Sequence, residues 1–579
     1  MKTPPALRVR VGQHSDKGCK NVNQDFHGAR VTDEPLLSAK GIVIALADGI
    51  SSSKVSQIAS EFVVQSLLDD YYCTSEAWSV KKSVERVLTA TNSWLHSRTQ
   101  QSQYRHDQDR GYVCTLSALV IKATTAHVFH VGDSRIYRLQ GNALEQLTTD
   151  HRVRVAEGQS YLSRAMGFNP QIEIDYQALQ LEKGDVFLLA TDGVYEHVDA
   201  AFICLTVQQS QSLDDAARQI VQEALQRGST DNLTLQIVVI DELPGADAVA
   251  VSQQAAKLAL PPILEPRQLF DGYQIIREVH ASSRSHIYLA VDVATDTRVI
   301  LKTPSIDLQN DAAYLERFLM EEWVARRINC AHVLKPCPPT RERHYLYVAT
   351  EFIDGQTLSQ WMLDNPTPDL ETVRGIVEQI AKGLQAFHRL EMLHQDLRLE
   401  NIMIDKFGVV KIIDFGATRV AGITEMQVPG DAGHILGTAQ YTAPEYFLGE
   451  PGTAQSDMFS LGVITYQMLS GRLPYGAEVA KARTLSAQKN LRYESVLHPD
   501  REIPAWIDKV LEKAVHPNPF KRYEALSEFT HDLRHPSAAF LSRTRPPLVE
   551  RNPVAFWKGL CALLAACVVA LLYARYGLR

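Results

Sequence analysis

His394-Gln395-Asp396-Leu397-Arg398-Leu399-Glu400-Asn401, followed after the strand-like run Val409–Ile413 by Asp414-Phe415-Gly416, is the stretch on which the reading of this sequence turns. It sets a carboxylate and an amide five residues apart on one loop, with a second carboxylate just beyond the next strand. The first carboxylate can orient a hydroxyl nucleophile. The amide and the second carboxylate can hold Mg²⁺ against the phosphates of ATP. Asp-Phe-Gly alone is a weak signal; the pair at this spacing is a strong one.

Working outward, further residues fall where such a site needs them. Lys302 closes the run Val299-Ile300-Leu301-Lys302, and Glu321 follows in Arg317-Phe318-Leu319-Met320-Glu321. Thr350-Glu351-Phe352-Ile353, Ala443-Pro444-Glu445, Asp457-Met458-Phe459-Ser460-Leu461-Gly462 and Pro519-Phe520-Lys521-Arg522-Tyr523 come next, in that order. From about Tyr273 to Arg534 the sequence resembles the eukaryotic-like Ser/Thr protein kinases. The resemblance implies a bilobal fold that binds ATP with Mg²⁺. Lys302 would contact the phosphates and pair with Glu321, and Glu351 and Ile353 would lie where adenine is received. Asp396 would be the catalytic carboxylate, with Arg398 beside it and Asn401 and Asp414 on the metal. Glu445 would pair with Arg522, and Asp457 would brace the catalytic loop.

Three departures bear on activity. The phosphate-covering loop should carry three glycines, but His280, Ser282 and Ser285 stand there instead. Ser282 and Ser285 can still offer backbone N–H groups to phosphate, with less conformational freedom. Gln395 replaces an arginine that normally pairs with a phosphorylated activation loop. Arg398 replaces a lysine.

The first half repeats a different device: an apolar strand-like run ending in aspartate and a small residue. Ile42–Ala47 leads into Asp48-Gly49, Ala126–Val131 into Gly132-Asp133-Ser134-Arg135, and Val186–Ala190 into Thr191-Asp192-Gly193. Asp25 lies near the start, and Asp231-Asn232 precedes the apolar run Leu233–Ile240. Several carboxylates meeting in one cleft repel one another unless a cation joins them. Carboxylates with a carbonyl and water suit Mg²⁺ or Mn²⁺. From about Val9 to Ile240 the series resembles the type 2C (PPM) metal-dependent Ser/Thr protein phosphatases. It includes Lys20-x-x-Asn23-Gln24-Asp25, Leu147-Thr148-Thr149-Asp150-His151 and Arg164-Ala165-Met166-Gly167.

That resemblance implies a β-sandwich flanked by helices and a two-metal hydrolase. Asp48 would bridge the ions with the Gly49 carbonyl as a ligand. Asp192 and Asp231 would hold one ion and Asp25 the other, partly through water, with Asp133 available to a more labile third. Lys20 stands where the family has an arginine that grips phosphate; a lysine offers only a point charge. No acid stands at Ile50 to protonate the leaving group. His151 reads as structural.

The whole chain, 579 residues and 64.7 kDa, therefore reads as multidomain α+β. The expected boundaries are 1–242 for the phosphatase-like domain, 243–268 for a Pro-punctuated linker, 269–537 for the kinase-like domain and 538–553 for a basic segment. Residues 554–574 form an apolar run of ~21 residues, roughly 31 Å as a helix, which predicts one transmembrane helix. Lys558 lies just inside it, and Arg543, Arg545 and Arg551 precede it. That bias places both domains on the cytoplasmic face of the membrane; a buried or dimerising helix is the alternative.

Hydrophobic residues make up 45% and charged residues 22%, which excludes a mostly disordered or fibrous chain. A net charge of −8 argues against a surface built for nucleic acid. The eight cysteines form no C-x-x-C pair, so zinc is not indicated. The expectation is one bifunctional enzyme acting on Ser/Thr and phospho-Ser/Thr proteins, its own kinase half included. The alternatives are a kinase half that only senses nucleotide or docks partners, and a phosphatase half silenced by Lys20.

Overall fold

The computed structural model describes residues 7–141, 143–154, 160–244, 258–282, 284–305, 308, 311–338, 341, 343–424, 440–498, 501–536 and 553–576. They form two compact units, the first built on Met1–Lys257 and the second on Leu258–Arg419 and Ala432–Arg579.

The first unit is a sandwich of two five-stranded sheets. One runs Arg8–Asp16, Leu233–Glu242, Val186–Ala190, Arg135–Gln140, Ala143–Gln146 from edge to edge. The other runs Asp175–Gln180, Thr125–Val131, Leu116–Lys122, Ile42–Ala47, Phe26–Arg30. Ile42–Ala47 is buried throughout because both of its faces are covered. Ile42, Ile44 and Leu46 pack against Phe187, Leu189, Val238 and Ile240 of the opposite sheet. Val43, Ala45 and Ala47 point the other way, onto Val63, Val64 and Leu67 of the helix Ser56–Cys73 and Val84 and Leu88 of the helix Val80–Gln100. The outer face of the first sheet takes the helix Leu213–Gln226, whose Ala216, Ala217, Ile220, Val221 and Ala224 form one apolar stripe. The first and last strands pair in antiparallel register from Arg8↔Glu242 to Asp16↔Leu233, which brings the two ends of the unit to the same rim.

The second unit has two lobes. An antiparallel sheet orders Leu269–Phe270, Tyr273–Ala281, Ser285–Asp292, Thr297–Pro304 and Val348–Glu351, with the helix Ala312–Arg327 in the same lobe. Asp311 caps that helix by accepting the Tyr314 N–H at 3.0 Å. The other lobe is helical. Leu370–Arg389 packs on the short strand Val410–Ile412, which pairs with Ile402–Asp405, and on the helices Ala454–Ser470 and Leu526–Arg534; Ala505–Ala514 packs on these last two.

Two differences from the sequence reading stand out. The linker was expected to run to 268, yet residues from 258 on belong to the second unit. Ala259 bonds along the chain at 344–346: Leu346 N–H donates to the Ala259 carbonyl at 2.9 Å. Leu258 and Leu260 pack with Tyr314, Phe318, Leu346 and Val348, and Leu264 is buried beside Phe270 and Tyr273. The second difference concerns the expected transmembrane helix. Pro553–Tyr576 is helical, but among the described residues no helix is long and apolar enough to cross a membrane. The side chains described there run from Phe556 to Ala566, with Val568.

Candidate active sites

At one end of the sandwich, strand ends and tight turns bring together carboxylates far apart in sequence. Asp25 is buried; its Oδ2 accepts from Thr234 Oγ1 at 2.7 Å and Thr191 Oγ1 at 3.1 Å, and its buried Oδ1 has no partner. Asp48 leaves the strand Ile42–Ala47, its N–H bonded to Thr115 Oγ1 at 3.0 Å and its carbonyl to Thr115 N–H at 2.8 Å. Gly49 must be glycine: a Cβ there would lie 2.8 Å from the Gln24 carbonyl and 2.8 Å from Ser56 Oγ. Gly193 is tighter still, its would-be Cβ 2.1 Å from the Asn232 carbonyl. That close approach seats Asp192 beside Asp231.

The electrostatics record the crowding. Burial pushes Asp48 well above the usual carboxylate range, and Asp25, Asp192, Asp133 and Asp231 add to the push. Burial likewise raises Asp25 to about 6, with Thr234 opposing, and Asp192 to about 7, with Asp133 and Asp231 adding. An orphaned carboxylate oxygen and carboxylates that suppress each other's charge fit a divalent cation. Even so, among the described residues no three His, Cys, Asp or Glu side chains stand close enough to hold an ion as they are.

Protein cations reach these carboxylates. Lys20 Nζ lies 3.3 Å from Asp231 Oδ1 and 3.3 Å from Ser51 Oγ. Arg152, which the sequence reading passed over, contacts both Asp133 and Asp192. Its signal was its place directly after Asp150-His151. His151 is structural as expected: Nδ1 accepts the Gly132 N–H at 3.1 Å and Nε2 lies 3.0 Å from Asp175.

In the second unit the expected partners meet. Lys302 Nζ lies 2.7 Å from Glu321 Oε2 and 3.6 Å from Asp414 Oδ1. Burial alone would weaken the ammonium, but Asp414 and Glu321 override it and hold Lys302 above its usual range. Burial pushes Glu321 up to about 7 against the pull of Lys302. Burial also works against the charge of Asp414, yet Lys302 and the Gly416 N–H keep it below the usual carboxylate range. Asn401 Nδ2 donates to the Asp396 carbonyl at 2.8 Å and reaches its Oδ2 at 3.3 Å. Arg398 Nε is 3.6 Å from Asp396 Oδ2. Phe415 is buried against Phe387 and His394.

Asp457 braces the loop that carries Asp396 by accepting the N–H groups of His394 and Gln395, each at 3.0 Å. Gln395 adopts a left-handed backbone (φ 66°) and directs its amide to the Tyr446 hydroxyl at 3.2 Å. Gln395 thus makes a neutral hydrogen bond at the position where an arginine would have carried a charge. Glu445 and Arg522 form a buried bidentate pair at 2.8 and 2.7 Å.

Other predicted residues are placed differently. Ser282 Oγ accepts the N–H of Ser285 at 3.1 Å and of Arg284 at 3.3 Å, so those donors are engaged within the turn. The Glu351 carboxylate is held by Lys411 at 2.7 Å and the Lys335 N–H at 2.9 Å, leaving backbone as what this segment presents; Ile353 is buried.

Family models match both halves of the chain. A family model described as protein phosphatase 2C matches residues 13–234, and one described as protein kinase domain matches 273–534. The serine/threonine-protein kinase PrkC of Bacillus subtilis is 28% identical over 270 residues, 46% of this chain and 41% of the relative. The kinase PknA of Corynebacterium glutamicum is 32% identical over 196 residues, 33% of this chain and 41% of the relative. The chain therefore spans about two-fifths of the length of these curated relatives. Among solved structures, the S. agalactiae serine/threonine phosphatase is 24% identical, covering 40% of this chain and 100% of its own, with a TM-score of 0.36. The Mycobacterium tuberculosis phosphatase PstP/Ppp is 22% identical, covering 41% and 99%, with a TM-score of 0.35.

Proposed function

This chain joins a protein phosphatase 2C-type domain to a serine/threonine protein kinase domain, and on that premise we propose that one polypeptide both phosphorylates and dephosphorylates Ser/Thr in proteins. The observation that carries the kinase half is Lys302, seated between Glu321 and Asp414. Lys302 holds ATP phosphates, Asp396 accepts the proton of the attacking hydroxyl, and Asn401 and Asp414 hold Mg²⁺. The same arrangement speaks against a kinase half that only senses or docks. The serines and engaged N–H groups of the 282–285 turn weaken its hold on phosphate without removing the charges that do the work.

In the phosphatase half Asp48, the Gly49 carbonyl, Asp192 and Asp231 are the ligands assigned to Mg²⁺ or Mn²⁺, with Asp25 on the second ion and Asp133 on a more labile third. The cations, when bound, supply an acidic water as nucleophile and screen the phosphate. Thr191 and Thr234 orient Asp25, the Gly49 and Gly193 turns fix Asp48 and Asp192, and Lys20 offers a single positive charge to the substrate phosphate. Covalent linkage raises the effective concentration of each half at the other, and it supports the reading that the phosphatase half removes phosphate from the kinase half or from a substrate the two share.

Labelled ATP with Mn²⁺ tests both activities in wild type, Asp192→Asn and Asp396→Asn. Label should accumulate on protein in Asp192→Asn and vanish in Asp396→Asn. No label in any form refutes the kinase reading, and equal label in wild type and Asp192→Asn refutes the phosphatase reading.

Attachment to a membrane through 554–574, with both domains on the cytoplasmic face, is part of the same proposal. It is supported by the apolar run and by the exposed Trp557, Leu563, Leu564 and Val568. Flotation with phospholipid vesicles that is unchanged when residues after 546 are removed would end it.

A further inference from the structure

Arg152 opens the short strand Arg152–Arg154, which pairs with Ser160–Leu162. The residue before it is anchored: His151 N–H donates to the Gly132 carbonyl at 2.7 Å, and its ring bridges Gly132 and Asp175. From this fixed base the guanidinium enters the acidic cluster. Nε lies 2.5 Å from Asp133 Oδ2, Nη2 2.8 Å from Asp192 Oδ2 and Nη1 3.0 Å from Glu196 Oε1. Only 26% of the Arg152 side chain is exposed. A planar fork with five donors spreads its bonds over three separated carboxylates, where an ammonium concentrates its donors at one point.

Two of those carboxylates, Asp133 and Asp192, are the ones the proposed phosphatase chemistry needs for its divalent cations, Asp133 for the labile one. A cation on Asp133 would sit about 2.0–2.6 Å from the same oxygen that the guanidinium now holds. Two positive groups held on one carboxylate oxygen repel each other strongly, so an ion that fills the site must weaken or displace the guanidinium contact.

We propose that Arg152 is a built-in competitor for the labile cation of the phosphatase half: guanidinium and divalent ion exclude each other at Asp133 and Asp192. The inference rests on the phosphatase reading above. It makes Arg152 a positioning residue that sets the free metal concentration at which the site fills. It also gives a reason why these carboxylates do not gather into a ready-made cage.

The test is Mn²⁺ binding to the full-length protein without nucleotide, read by isothermal titration calorimetry and by the electron paramagnetic resonance of free Mn²⁺. Arg152→Gln, which removes the charge and leaves a shorter polar side chain, should tighten the weakest class of sites by about tenfold or more. That is the lower end of what a neighbouring charge does to proton binding at a carboxylate. Adding Asp133→Asn to Arg152→Gln should abolish the gain, which locates the site. Arg152→Lys keeps the charge but cannot span three carboxylates, so it should tighten binding by a smaller factor. Should Arg152→Gln fail to fold by circular dichroism, Arg152→Lys decides alone. Wild-type and variant isotherms that superimpose overturn the competition. Absence of Mn²⁺ binding in every form overturns the phosphatase reading itself.

Discussion

Replacing Arg522 by alanine should loosen the helical lobe of the kinase unit more than any surface change could. The side chain is 0% exposed and its partner Glu445 4%. Its guanidinium makes two bonds to Glu445, at 2.8 and 2.7 Å, and serves the carbonyls of His516 at 2.7 Å, Gln455 at 2.8 Å and Pro517 at 3.0 Å. Arg522→Ala would strip a buried carboxylate of its counter-charge, with Ser456 Oγ at 2.7 Å as the side-chain donor that remains among the described residues, and leave three carbonyls short of a donor. Breaking a buried pair from one side costs about 3–5 kcal/mol. Two linked units have no single unfolding free energy, so the measurement must be local. Native-state hydrogen exchange in the helix Ala454–Ser470 provides it, with the strand Val186–Ala190 of the first unit as an internal reference. At about 1.4 kcal/mol per decade, protection in the helix should fall by about a hundredfold to a few thousandfold while the strand is unchanged. Replacing both partners by apolar residues of similar volume should recover most of the loss, because the cost lies in the orphaned charge. A loss below about tenfold in Arg522→Ala would refute the reasoning.

Other expectations follow from the same contacts. Burial opposes the charge of Glu445, but Arg522 and Ser456 win and hold its pKa below the usual range. Its contribution is therefore present above the unfolded carboxyl pKa of about 4.3 and is lost as pH falls through the lower folded value. Glu445→Gln should flatten that acid limb in a pH series of helix protection. Leu260→Ala removes a half-buried side chain from the cluster beneath Tyr314 and Phe318 on the helix that carries Glu321. Exchange in Ala312–Arg327 should rise by about tenfold and the KM for ATP should increase, with phosphatase kinetics unmoved; an unchanged helix would show that the 258–260 segment is not a brace. Lys20→Arg supplies a bidentate fork in place of a point charge, so KM for a phosphopeptide should fall by about three- to tenfold with kcat little changed. An unaltered KM would remove Lys20 from phosphate recognition.

The amino-acid sequence by itself carried the chemistry. That Lys302 meets Glu321 and Asp414, and Asn401 meets Asp396, was legible because each of these residues stands in a short motif with a fixed spacing. The aspartates after Ile42–Ala47 and Val186–Ala190 were legible because a buried strand that stops at Asp-Gly is a local pattern. The Glu445–Arg522 pair was legible through its two motifs. Tertiary structure alone decided which cation meets which carboxylate. Asp25 and Thr234 touch across 209 positions of chain, and Arg152 reaches Asp192 across 40. Nor did local pattern reveal that Gln395 turns to Tyr446, or that Leu258 and Leu260 tie the end of the linker to the helix of Glu321. Motifs constrain the backbone and the reacting groups over a few residues. The counter-charges around those groups depend on strand register and helix packing between distant segments, and no short stretch of sequence encodes that.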